Sequence, residues 1–177
     1  MPPFELLPRE STERRSRVID LERKEQASRR IVLAAAAAAA SAGAVPIPFS
    51  DAAALVPIQI AMVAGVTVTY GLPISKGTFV TLAGAALSYG GLTNAGKYLV
   101  TNLLKFVPGG NITGGVIRAG VAGALTSAAG EAWIAVCNQL AQLDPERLAR
   151  LDASEVRDMF MQAFEKRARG GPRDSEE

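Results

Sequence analysis

The sequence predicts an all-α fold, and three observations predict it. Opposite charges stand four residues apart in the terminal stretches, where helical neighbours would meet. The uncharged middle is rich in alanine, the strongest helix former, and its segments far exceed the roughly 4 to 8 residues of a strand. The breaks between segments fall at proline or paired glycine.

Charge is distributed unevenly. Residues 1–30 carry fourteen charged side chains and residues 144–177 carry sixteen, whereas the 113 residues between them carry six: Asp51, Lys76, Lys97, Lys105, Arg118 and Glu131. A soluble domain would carry roughly a quarter charged residues, so the middle segment must hide most of its surface against lipid, a partner or another copy. The chain has no histidine and a single cysteine, Cys137, which excludes internal disulfides and Cys/His metal sites. The charged N-terminus carries no signal-peptide pattern and is expected to begin in the cytoplasm.

Residues 1–12 hold three prolines and no helical stripe and read as a disordered lead. Residues 13–30 read as a charged helix, with Asp20 to Lys24 and Glu25 to Arg29 at i, i+4 spacing. Six acids among the eight bases of residues 1–30 leave little field to attract phosphate, so nucleic acid is not an expected partner.

Residues 31–143 form the expected apolar helical domain. The charged helix runs into IVLAAAAAAASAGAVPIPF, whose Pro46 and Pro48 end it. Ser50 can cap the next helix, with Asp51 in its first turn. That helix is uncharged from Ala52 to Ser75, should kink at Pro57, and should finish at Gly71 and Pro73. The pair makes an apolar hairpin whose turn is marked by Pro46, Pro48 and Asp51. Arg29 and Arg30 flank its entrance and Lys76 its exit, the charge arrangement of a hairpin entering a membrane from the cytoplasmic side.

A third helix is expected from about Ser75 through Lys105, interrupted at Gly90 and Gly91. The fourth begins near Asn111. Gly115, Ala119 and Gly123 follow one another at four-residue steps, and so do Gly120, Ala124 and Ala128, leaving two edges with almost no side-chain bulk where another helix can approach closely. Arg118 and Glu131 are costly in lipid and are expected to form a buried ion pair, with Lys97 or Lys105 as alternative partners for Glu131. Residues 144–169 read as an amphipathic C-terminal segment. Asp144-Pro145 opens it, Asp152 to Glu155 resembles a capping box, and Val156, Met159, Phe160, Ala163 and Phe164 share one face. Residues 170–177 read as a tail.

One motif suggests chemistry. GLTNAGKY, residues 91–98, matches seven of eight positions of the phosphate-binding loop, but Tyr98 replaces the Ser or Thr that would ligate magnesium. The alanine- and glycine-rich residues before it suit a packed helix better than the strand such a loop needs. Cys137 lies among apolar neighbours, as an inert thiol would. No catalytic residue, cofactor site or metal site is therefore expected, and the protein reads as a non-enzyme.

The stretches PIPFSDAAALVPIQIAMVAGVTVTYG and KFVPGGNITGGVIRAGVAGALTSAAGEAW resemble the bacterial domain of unknown function family 697, over about residues 31–140. The specific pieces are Pro46-x-Pro48 with Asp51, Gln59-x-x-Met62, Tyr70-Gly71 and the run ending at Glu131. The resemblance implies an Ala/Gly-rich helical module, membrane-associated, that works beside a GTPase, because family members occur alone or fused behind Era-type GTPase domains. It implies no activity and no binding residues.

The expected function is thus a membrane-associated helical module, with its N-terminus in the cytoplasm of a bacterial cell and itself at the inner membrane, that anchors or regulates a partner, a GTPase in trans. The alternatives are a soluble cytoplasmic scaffold that forms a homo-oligomer through its glycine-edged helices, a degenerate nucleotide-binding protein using Gly91 to Lys97, and a small pore, for which no ring of filter residues is present.

Overall fold

The computed structural model describes residues 9–44, 51–73, 77 and 114–169. Within them the chain is all helical, with five helices: α1 (Arg9–Ala44), α2 (Asp51–Tyr70), α3 (Gly114–Leu140), α4 (Pro145–Ala149) and α5 (Ala153–Arg169). Pro46, Pro48, the third expected helix and the GLTNAGKY motif lie outside the described residues.

α1 is one helix of 36 residues that carries the charged stretch straight into the alanine run. It starts at Arg9, inside the stretch expected as a lead. The last proline of that stretch is Pro8, and Glu10 stands four residues before Arg14, so nothing after Pro8 opposes helix. Ion pairs along the solvated half follow the same spacing, Lys24 to Asp20 at 3.0 Å and Arg29 to Glu25 at 2.6 Å.

α2 continues through Pro57, which is exposed, and ends where expected. Gly71 takes a left-handed φ of 72°. Its N–H donates to the Val68 carbonyl, and the Leu72 N–H reaches back to Thr67 at 3.2 Å, the pair of bonds that closes a helix on glycine. Inside the apolar helix, Thr67 and Thr69 return their hydroxyls to the Val63 and Gly65 carbonyls, which satisfies both donors without a partner chain.

α1, α2 and α3 form a three-helix bundle. Glu25 and Ile31 of α1 lie opposite Tyr70 and Gly65 of α2, so these two helices are antiparallel. Gln59, Val63 and Tyr70 of α2 meet Thr126, Trp133 and Asn138 of α3, so α2 and α3 run in the same direction. Close approach depends on glycine at two places. A Cβ on Gly130 would come within 2.5 Å of both Val32 methyls and 2.9 Å of the Met62 sulfur; one on Gly123 would sit 3.3 Å from the Ala36 carbonyl and the Ala40 Cβ.

α5 completes the core. Asp152 caps it: its Oδ1 accepts from the Ser154 and Glu155 backbone N–H groups at 2.7 and 2.9 Å, while Glu155 Oε2 accepts from the Asp152 N–H at 3.3 Å. This is the reciprocal capping box, with Asp in the Ser/Thr place. Phe160 and Phe164 are 1% exposed and stack on each other at 5.9 Å, and Phe160 meets the buried Trp133 ring at 6.4 Å.

Candidate functional site

Polar groups within the bundle fall into two sets. The first is interior. Gln59 Nε2 donates to Thr126 Oγ1 at 2.8 Å, and Trp133 Nε1 donates to the Thr67 hydroxyl at 2.9 Å and the Val63 carbonyl at 3.1 Å. A buried amide or indole must find such partners or lose the bonds it made with water. Gln59 Oε1 and Ser28 Oγ are buried with no hydrogen-bond partner in the structure.

The second set forms a half-buried belt that ties four helices together. Tyr70 donates its phenol to Asn138 Oδ1 at 2.9 Å, and Asn138 Nδ2 donates to Glu25 Oε2 at 3.4 Å. Glu25 also accepts from Arg29, and Arg29 and Arg167 approach the same oxygen of Glu131 at 3.9 and 3.8 Å. The hydrogen bond that Arg29 donates to Glu25 holds the Arg29 pKa above its ordinary value, against the opposing effect of burial, with the charge of Glu131 adding to the rise. Burial pushes the Tyr70 phenol up, and the negative charge of Glu25 pushes it further. Outside the belt, the exposed Asp152 carboxyl is held below its usual range, first by the Ser154 hydroxyl and then by the backbone bonds of the cap.

The expected Arg118 to Glu131 pair does not form within one chain. Both residues lie on the single helix α3, thirteen positions apart, a rise of about 20 Å. Glu131 instead faces α1 and α5. Lys97 and Lys105 lie outside the described residues, as does the side chain of Arg118. Of the residues expected to line a packing edge, Gly123 meets α1 directly, Ala119, Gly120 and Ala124 are half-buried, and the side of Gly115 is not described. Asp51 is the first residue of α2.

Gly130, which makes the closest helix approach, and the Gln59, Trp133 and Asn138 ties were missed by sequence reasoning. A glutamine in an apolar helix signals that a partner exists, but carries no information about which one. Cys137 is fully buried, and burial pushes its thiol well above the usual range. Among the described residues no three His, Cys, Asp or Glu side chains come together to hold a metal ion.

The belt also divides the molecule. On one side lie the charged half of α1, the polar end of α3, α4 and α5. On the other, α1 is uncharged from Ile31 to Ala44 and α3 from Ala119 to Gly130, each about 20 Å or slightly less of helix. The outer surface on that side includes exposed Leu33, Ala34, Ala37, Ala38, Ala61 and Val116. Val18, Ile19 and Val68 are exposed on the other side, but singly or beside charged and hydroxyl residues. The window Ala119–Leu140, with mean hydropathy 1.3, is long and apolar enough to cross a membrane, and half of it is buried within the bundle. A soluble core helix would meet the same criterion of length and composition.

The model of the family described as "Domain of unknown function (DUF697)" matches residues 7–168, and the chain belongs to that family. It is also 32% identical over 127 residues to magnetosome membrane protein 22 of Magnetospirillum gryphiswaldense, an alignment covering 69% of this chain. The aligned part spans 60% of that protein's length. No solved structure matches the chain.

Proposed function

We propose, with membership of the DUF697 family as the premise, that the protein is a non-enzymatic, membrane-associated helical module that anchors or regulates a partner, a GTPase acting in trans. The observation that carries the membrane half is the segregation of charge along the bundle. A zone about 20 Å deep presents mainly alanine, leucine and valine to its surroundings, bounded at its far side by Asp51 and Arg118, and the opposite end is sheathed in ionised side chains. Such a zone exposes apolar area that water disfavours and lipid accepts. The name of the magnetosome relative supports the same reading. The GTPase rests on the family resemblance of the sequence.

Fractionation with carbonate extraction tests the membrane half. The protein is expected in the membrane pool, and recovery as a soluble monomer overturns the reading. Proximity labelling from the membrane-bound chain is expected to mark a GTPase, and labelling that marks none removes the partner half.

A second reading, a soluble homo-oligomeric scaffold, draws support from the half of the apolar window already buried inside one chain. It predicts aqueous recovery as a defined oligomer without detergent.

A further inference from the structure

Arg29 and Arg167 are 138 positions apart in sequence and converge on one carboxylate oxygen of Glu131. Their chain neighbours Arg30 and Lys166 are each one residue, about 1.5 Å of rise, from that level, and both are exposed. Two elements from opposite ends of the chain thus bring four cations to one level of the bundle. The acids there are Glu25, which holds Arg29 at 2.6 Å, Glu131 and Glu165, leaving a net charge of +1 from four bases and three acids. On one side of this level α1 carries no charge through Ala44, and α3 carries none back to Ala119.

A basic rim directly above an uncharged zone, about 20 Å deep and bounded at its far side by Asp51 of α2 and Arg118 of α3, has the layout of a surface that meets lipid headgroups with its rim and lipid tails with that zone. Long basic side chains at such a boundary can keep their charge among phosphates while their stems lie along apolar surface. We propose that Arg30 and Lys166, backed by Arg29 and Arg167, form a collar that docks on anionic lipid phosphates where the uncharged zone of the bundle enters the bilayer. The inference rests on the membrane reading above and adds to it the lipid class, the residues and the level of the waterline. Charge complementarity decides for an anionic bilayer over a second copy, because a copy stacked collar to collar would bring like charges together.

The test uses the purified full chain, diluted from mild detergent onto vesicles of phosphatidylcholine alone or of phosphatidylcholine mixed with phosphatidylglycerol, and read by flotation. Wild type is expected to favour the anionic vesicles. The double variant Arg30→Gln/Lys166→Gln should bind them roughly thirtyfold more weakly, at the scale of a surface-adsorbed base, with helical content by circular dichroism unchanged. Arg150→Gln/Arg157→Gln, which removes two exposed bases away from the collar, should keep the preference. Equal flotation on both vesicle types overturns the collar and leaves the membrane reading standing. Equal loss in both double variants overturns the location, showing attraction to net charge alone. No flotation on either vesicle, with a stable dimer or monomer in solution, overturns both.

Discussion

The two ends of the bundle are held together by different physics. Around Trp133, large side chains fill the space: the indole, Phe160, Phe164, Met62 and Leu140 are all at most 2% exposed, and polar ties cross between helices. Toward the other end, α1 and α3 approach through Ala36, Ala40 and Gly123, with almost no side chain between them. The aromatic end can derive its stability from excluding water. The alanine end has less area to bury and depends on close backbone contact, a mode that works equally well where lipid, not water, is the surrounding medium.

Substitutions can break this contrast. Trp133→Ala removes the ring against which α5 packs, along with two hydrogen bonds, and should cost about 3 to 5 kcal/mol. Denaturant titration should show the loss, and limited proteolysis should cut first near α4 and α5. Gly130→Val, at the junction of the two ends, would drive a side chain into both Val32 methyls and the Met62 sulfur. About 3 kcal/mol is expected by the same titration, with a smaller loss for Gly123→Val, whose nearest atoms lie at 3.3 Å. Thr126→Val should cost roughly 1 to 3 kcal/mol by leaving the Gln59 amide without its acceptor, and Gln59→Leu combined with Thr126→Val should recover most of it. A double variant no better than the single one would mean that this tie sets helix register as well as satisfying a polar group.

Much of the local structure was legible in the chain. The opposite charges at four-residue spacing in α1, the positive-φ glycine that ends α2 and the Asp152 capping box each act within one turn, so short-range spacing specifies them. The start of α1 at Arg9 lies inside the expected lead because Pro8 restricts only the residues beside it and leaves the chain after it free to form helix. Of the two small-residue edges of α3, the one through Gly123 was legible as a place for close approach. Gly130 was not singled out, since its role depends on Val32 and Met62 arriving from two other helices.

The belt shows why the remainder lay out of reach. A lone glutamate in an apolar helix announces a need for a cation, and the nearest charged residue along the helix, Arg118, was the natural partner on paper. A straight helix carries that arginine about 20 Å away, while antiparallel packing of α1 and docking of α5 deliver Arg29 and Arg167 instead. Helix class, helix ends and the uneven distribution of charge follow from residue types and contacts over a few positions, so they can be read from the chain alone. Which cation meets Glu131, which hydroxyl meets Gln59 and which level of the bundle becomes charged depend on packing register, and register is set only when three helices close on one another.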